Sequence, residues 1–293
     1  MLKANVQALG YSDPAQTLIC FTSPEYSHFA FYGDVRVRNG RIHTFTASLQ
    51  QVNSTALDDF SAVIATSKVS PLFSIGGERP SVRHATSLAV VIDNLPMAFG
   101  INYSPSGRIS GFSGLNETAF VEVATNARCI LPQGSDDLTA VGETTWIIKC
   151  RDAGQLSVVD SSKLTSSVLS SASYKSRIAY SAKAKLFSAI RTDDVCEVYD
   201  AHTFLLKFSI PLGEAALFGG ELLFSQNGEK LWCYHDQACS GFSTTDGMKR
   251  AVMKLPKEGA DYMVFNETGN TVYISRQARL SSASYEQVVE PWK

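Results

Sequence analysis

Between Ala172 and Ile210 the apolar residues come in four short bursts, each closed by polar residues. Arg177–Tyr180 leads into the polar turn Ser181–Lys185, and Leu186–Ile190 into the charged turn Arg191–Asp194. Val195–Tyr199 alternates apolar and polar positions, as a half-buried strand should. After the turn Asp200–Thr203, Phe204–Ile210 closes the unit. Four strands with short polar connections in about 40 residues predict an up-and-down antiparallel sheet rather than a βαβ unit.

The plan recurs. Leu222–Ser225, Leu231–Tyr234, Ala238–Ser243 and Lys249–Leu255 repeat it, and Met263–Asn266 with Thr271–Ser275 begins it again. The shared signature is an aromatic residue ending the first strand, a turn with Asn or Gly, then an apolar second strand. One such position marks each unit: Phe21, Phe60, Tyr103, Val141, Tyr180, Phe224 and Phe265. Their spacing, about 40 residues with four strands per unit, is that of a propeller blade. The pattern therefore predicts an all-β fold, a seven-bladed β-propeller of four-stranded antiparallel blades forming one domain over residues 1–293. Six blades is the alternative, because Ser87–Leu95 must supply both the third and fourth strands of the Phe60 unit.

The triplets that end two third strands, Val198-Tyr199-Asp200 and Val158-Val159-Asp160, resemble those of WD-repeat and YVTN-type propellers. No blade has Trp before that Asp, and the Gly-His pair of the standard repeat is absent. The resemblance implies a propeller fold and, through it, a surface that binds other proteins.

In chain order, Gln16–Phe21, His28–Tyr32, Val35–Arg38 and Arg41–Ala47 read as the first blade, with Asn39-Gly40 as a hairpin turn. Phe60–Ala65 and Leu72–Ile75 begin the second. Met97–Tyr103, Arg108–Ser113, Thr118–Ala124 and Arg128–Leu131 make the third; Leu138–Val141, Trp146–Cys150, Gln155–Val159 and Ser167–Ser171 make the fourth. The last unit lacks a convincing fourth strand. Lys3–Leu9 is expected to supply it, closing the ring and removing an exposed edge; the alternative is Gln287–Val289.

Composition narrows the function. A net charge of −2 and scattered Lys and Arg argue against direct nucleic-acid binding. No apolar run approaches a membrane span. The opening MLKANVQALG lacks the apolar core of a secretory signal, so an intracellular, cytoplasmic setting is expected. Six cysteines without a CxxC pair read mostly as buried thiols in a reducing compartment. Zinc wants three or four ligands in tetrahedral reach; beside Cys233, His235 and Cys239, which lie across a hairpin, no fourth is visible, so a buried thiol and a turn His are expected. Ser225–Trp232 resembles the Asp box of sialidase propellers but reads as a hairpin turn.

The turns between second and third strands should share one face of the ring, and nearly all are charged. They contribute Asp34, Arg79, Glu117, Arg151, Asp152, Arg191, Asp193, Asp194, His235, Asp236 and Arg276. Arg beside acid suits a docking surface, where Arg anchors and acids set register. The sequence thus points to a non-catalytic scaffold within a multi-subunit assembly, with no cofactor and no small-molecule substrate. Two alternatives stand beside it. One is a structural protein of a viral particle or tail. The other is a Ca²⁺-dependent hydrolase or lactonase in which Glu78, Glu117, Asp152 and Asp236 converge as oxygen ligands.

Overall fold

The computed structural model describes residues 5–23, 40–57, 63–175, 178–212, 222–225, 227–235, 238–253, 262–266, 271–276, 279–284 and 289–291. Among them the regular structure is entirely β. The first sheet runs β1 (Asn5–Ser12), β2 (Thr17–Ser23), β3 (Gly40–Thr46), β4 (Gln51–Leu57). The second is β5 (Ile64–Thr66), β6 (Leu72–Ile75), β7 (Ser81–His84), β8 (Val90–Ile92), and the third β9 (Gly100–Tyr103), β10 (Ile109–Ser113), β11 (Thr118–Glu122), β12 (Arg128–Leu131). Next come β13 (Ser135–Ala140), β14 (Thr145–Cys150), β15 (Leu156–Asp160), β16 (Thr165–Ser170), then β17 (Ala179–Ser181), β18 (Leu186–Ile190), β19 (Val195–Asp200), β20 (Leu206–Pro211). A sixth set, β21 (Leu222–Phe224), β22 (Lys230–His235), β23 (Ala238–Ser243), β24 (Lys249–Met253), is extended by β28 (Val289–Pro291). The remaining sheet has three strands, β25 (Tyr262–Asn266), β26 (Thr271–Arg276) and β27 (Arg279–Ser284). Pairing is antiparallel throughout these sheets.

The first strands of the sheets pack against one another in succession. β25 lies against β1, β1 against β5, β5 against β9, β9 against β13, β13 against β17 and β17 against β21. The burial pattern is radial. β18 is buried at every position, whereas β16 is exposed over its first four residues. A strand sandwiched between two neighbouring sheets must be apolar on both faces; an outer strand need not be. Most core clusters among the described residues accordingly span two consecutive sheets. Phe120 and Leu131 of the third meet Leu138, Trp146 and Ile148 of the fourth, while Ile147 and Leu156 turn the other way, toward Phe187 and Tyr199 of the fifth.

Two features repeat where each third strand turns into the fourth. Leu49, Leu88, Asn126, Leu164 and Phe204 all have φ between 53 and 62°, and Gly247 takes the same place at φ 71°. The acids of the WD-like triplets cap these turns. Asp160 accepts from Ser162 N at 2.9 Å, and Asp200 from His202 N and Thr203 N at 2.9 and 2.8 Å. Such bonds stabilise the carboxylates and hold both below their ordinary pKa. The Ser162 hydroxyl leads for Asp160, and the Thr203 and His202 amides lead for Asp200. Leu164 is 39% exposed, so it gives up little contact in return for its left-handed backbone. Leu164→Gly is expected to raise stability by about 0.5–1 kcal/mol, read as a higher urea midpoint; an unchanged or lower midpoint contradicts it.

Several expectations require correction. Lys3–Leu9 does not complete the last sheet: β1 opens the first, pairing with β2 across the short turn Asp13–Gln16. A hairpin partner a few residues away costs far less loop-closure entropy than one at the other end of the chain. The ring closes instead through packing of β1 on β25. Of the alternative Gln287–Val289, only Val289 lies within the described residues, where it opens β28 and pairs with β24. In the first unit the expected first strand is second and the expected fourth is third. Gln16–Phe21 falls in β2 and Arg41–Ala47 in β3, with β4 beyond it. Gly40 opens β3, whose neighbours are β2 and β4, and Asn39 lies outside the described residues. His28–Tyr32 and Val35–Arg38 lie outside the described residues. In the second unit the third and fourth strands are Ser81–His84 and Val90–Ile92, so Ser87–Leu95 does not serve twice.

Candidate functional site

In an up-and-down sheet, the turn between second and third strands and the connection to the next sheet emerge at the same end. Gly76–Pro80, Gly114–Glu117, Arg151–Gln155 and Arg191–Asp194 are such turns, as the sequence pattern predicts. They are not loose. The connection from β16 to β17 is stitched between two of them: Tyr174 N donates to Gly154 O (2.9 Å), Thr192 N to Ser173 O (3.0 Å), and Lys175 N to Ile190 O (2.9 Å).

Beneath this stitching lies a buried polar cluster. Glu197, in the middle of β19, is only 5% exposed. The alternation of the strand sends Cys196 and Val198 to the next sheet's core and Glu197 and Tyr199 to the preceding one. Glu197 Oε2 accepts from the Tyr199 hydroxyl at 2.6 Å and from the Tyr174 hydroxyl. Its Oε1 accepts from Arg191 Nη1 at 3.1 Å, and Arg191 Nη2 donates to Asp193 Oδ2 at 2.6 Å. The two phenol oxygens lie 2.8 Å apart because they share one acceptor. Burial alone would push the Glu197 carboxyl up. The two hydroxyls and the guanidinium outweigh it and hold the group below the ordinary carboxylate range. Burial, and then the bond to Glu197, pushes both phenols up. Near neutral pH the carboxylate is ionised and the phenols are protonated, so the cluster is an anchor that fixes Arg191 at the surface.

Neighbouring pairs extend the pattern. Asp136, at the start of β13, lies 3.5 Å from Arg151 Nη1 and 4.0 Å from Lys149 Nζ. Lys175 pairs with Asp194, whose backbone also takes a positive φ of 65°. Asp137 reaches across to the next sheet, accepting from Ile178 N at 2.6 Å.

Of the residues expected on this face, Arg151, Arg191, Asp193 and Asp194 come together along the fourth and fifth sheets. Asp152 is exposed nearby, while Arg79 and Glu117 sit on separate turns of the second and third sheets. Asp34 and Asp236 lie outside the described residues; His235 and Arg276 end β22 and β26. Glu197, Tyr174, Tyr199 and Asp136 were not anticipated. The available signal was Glu197 and Tyr199 two apart in a strand otherwise apolar, which puts both on one buried face.

Among the described residues no group of three or more His, Cys, Asp or Glu side chains is placed to hold a metal ion. Glu78, Glu117 and Asp152 belong to three different turns. The register pairs Cys233 with Ser240 and Cys239 with Tyr234, so the two cysteines occupy alternate positions of the pleat. Cys20, Cys150, Cys196 and Cys233 are buried free thiols, and Cys129 is exposed. Burial pushes Cys20 and Cys233 up to about 12, which keeps both as unreactive thiols. Ser225–Lys230 is a hairpin turn closed by Gly228 N donating to Ser225 O at 2.8 Å, with Gly228 at φ 72°, and Trp232 is fully buried.

No protein-family model matches the sequence, and no curated protein matches it. Solved structures do match in fold. The chain is similar to the crystal structure of the Myceliophteria thermophila Cps50 (Swd1) β-propeller domain, with a TM-score of 0.70 and 10% identity, over 96% of this chain and 97% of that one. With the ring of up-and-down sheets, this defines the chain as a β-propeller. No described helix is long and apolar enough to cross a membrane.

Proposed function

We propose that this propeller has seven blades and acts as a rigid intracellular scaffold, binding protein partners in a larger assembly through the face of the second-to-third-strand turns. The observation that carries the reading is the fixed acid–base row along the fourth and fifth blades. Arg151 is set by Asp136, Arg191 by Glu197 and Asp193, and Lys175 by Asp194. Charges held in place lose little entropy when a partner docks, and mixed signs select the partner and its register. Unpaired thiols suit a reducing compartment.

The test is charge reversal at exposed members that do not hold Glu197. Arg151→Glu and Asp193→Lys are expected to leave the thermal midpoint almost unchanged, because exposed pairs contribute about 0–1 kcal/mol. The same variants should lose the partners that the wild-type chain captures from its native extract in fixed stoichiometry. A variant that keeps every partner would remove this face from consideration. A chain that captures none and gains thermal stability with Ca²⁺ would overturn the scaffold reading.

A further inference from the structure

The end of the ring opposite the charged face carries a different surface. In an up-and-down sheet the first-to-second and third-to-fourth turns emerge together at that end. Among the described residues, four of these turns expose a large apolar side chain: Val69 at 57%, Leu164 at 39%, Leu205 at 68% and Met248 at 58%. The described turns of the charged end expose one, Leu115 at 38%.

On the fifth and sixth sheets these tips form one surface. Ala201 N donates to Lys185 O at 2.9 Å, tying the two turns of the fifth sheet, and Thr244 Oγ1 donates to Gly228 O at 2.6 Å, tying those of the sixth. The two sheets also meet there. A Cβ at Gly228 would lie 2.8 Å from Ala184 N, and one at Gly247 would lie 2.8 Å from Phe208 Cδ2. Leu206, itself exposed, comes two residues before Phe208, and Met248 follows Gly247, so the apolar tips of the two sheets adjoin. Cations surround them. The four turns and the strand ends beside them hold Lys183, Lys185, Lys207, Lys230, Lys249 and Arg250 against Asp200, Glu229 and Asp246, an excess of positive charge in a chain of net charge −2. Asp200 and Asp246 are turned onto backbone amides, of His202, Thr203 and Met248, and Asp246 also pairs with Arg250. Among the described residues no carboxylate forms an ion pair with Lys183, Lys185 or Lys207.

We propose that this end of the fifth and sixth sheets docks on an anionic lipid surface. Leu205, Leu206 and Met248 enter the headgroup layer, and Lys183, Lys185 and Lys207 face the anionic headgroups. The chain lies on the membrane and does not cross it. Unpaired lysines beside exposed aliphatic side chains are the two contributions that interfacial binding combines. The aliphatic side chains stand at turn tips rather than in a groove. A fluid surface accepts such tips without a matching shape, whereas a protein must bring a complementary pocket for them. The cytoplasmic leaflet is the anionic one, which agrees with an intracellular scaffold. The inference is independent of the charged face, which would stay free for partners at the opposite end.

The probes are vesicles of phosphatidylcholine mixed with phosphatidylserine, and vesicles of phosphatidylcholine alone, each sedimented with the full chain. The expected result is binding to the mixed vesicles only, weakening as salt rises. Lys183→Gln combined with Lys185→Gln should weaken it about thirtyfold. Leu205→Ser should weaken it about tenfold and leave its salt dependence unchanged. All three positions are exposed, so the thermal midpoints should stay close to that of the wild type. No binding to the mixed vesicles, equal binding to phosphatidylcholine alone, or binding that survives either the lysine or the leucine substitutions would overturn the proposal. A chain that ignores the vesicles and binds polyglutamate would also overturn it, by assigning the patch to an acidic protein segment.

Discussion

Trp146→Ala is expected to cost about 3–5 kcal/mol and to leave the propeller close to unfolding at room temperature, since a domain holds only about 5–15 kcal/mol in total. Trp146 is fully buried, and its ring packs against Phe120 at 5.1 Å between centroids, across the junction of the third and fourth sheets. Its Nε1 donates to Ser161 Oγ at 3.3 Å, a bond the variant also loses. The site is built around the ring from both sides. A Cβ at Gly111, on the neighbouring sheet, would lie 2.4 Å from Leu138 Cδ1 and 2.7 Å from Trp146 Cζ3. Gly111→Ala alone should therefore destabilise. In the Trp146→Ala background the indole clash is gone and Leu138 Cδ1 has a cavity to shift into, so the same change should cost less than it does alone. Urea unfolding of the four variants gives the coupling, which this packing requires to be stabilising in the double variant. A loss below about 1 kcal/mol for Trp146→Ala would show that the junction relaxes and that the blades are held elsewhere.

Glu197→Gln is expected to cost about 1.5–3 kcal/mol at pH 7, because it weakens three bonds to a buried charge and leaves Arg191 with Asp193 as its remaining ion-pair partner. The pH dependence distinguishes this from a packing loss. The carboxyl's folded pKa is depressed, so its contribution is fully present above the unfolded value of about 4.3 and is lost as pH falls through the folded one. Wild-type stability should fall through that acid window, and the Gln variant should lack this part of the fall, the two curves converging at low pH. Parallel curves down to acid would mean that Glu197 does not titrate as the geometry requires. Tyr199→Phe, which removes one donor, should show a smaller loss at pH 7 and shift the acid limb upward.

The repeat was legible because each blade obeys local rules. The alternation in Val195–Asp200, the apolar run Leu186–Ile190 and the capping acids Asp160 and Asp200 are read from neighbours in the chain, and the structure places them as strands and turn caps. The same logic put the charged turns at one end of their sheets. It failed where two strands look alike. Tyr11 and Phe21 are both aromatic and both buried, so that marker does not show which of the two strands comes first. With β1 counted outside the unit, Gln16–Phe21 reads as the first strand although it is the second, while Arg41–Ala47, expected as the fourth, is the third.

The candidate site divides in the same way. The exposed members, Arg151, Arg191, Asp193 and Asp194, were visible because a turn between predicted strands must be solvated. Glu197 was not, because a lone acid in a strand reads as a solvent-facing position until its neighbours are known. Those neighbours are Tyr174, on the connection between sheets, and Arg191, on the turn before the strand. Sequence alone determined the all-β character, the approximate period and the charged turns, since each follows from interactions within one blade. Tertiary structure decided which strand opens the ring, which acid is buried, and that the C-terminal strand β28 joins β24. Each of these depends on contacts between segments far apart in the chain, where packing and loop-closure entropy outweigh any local preference.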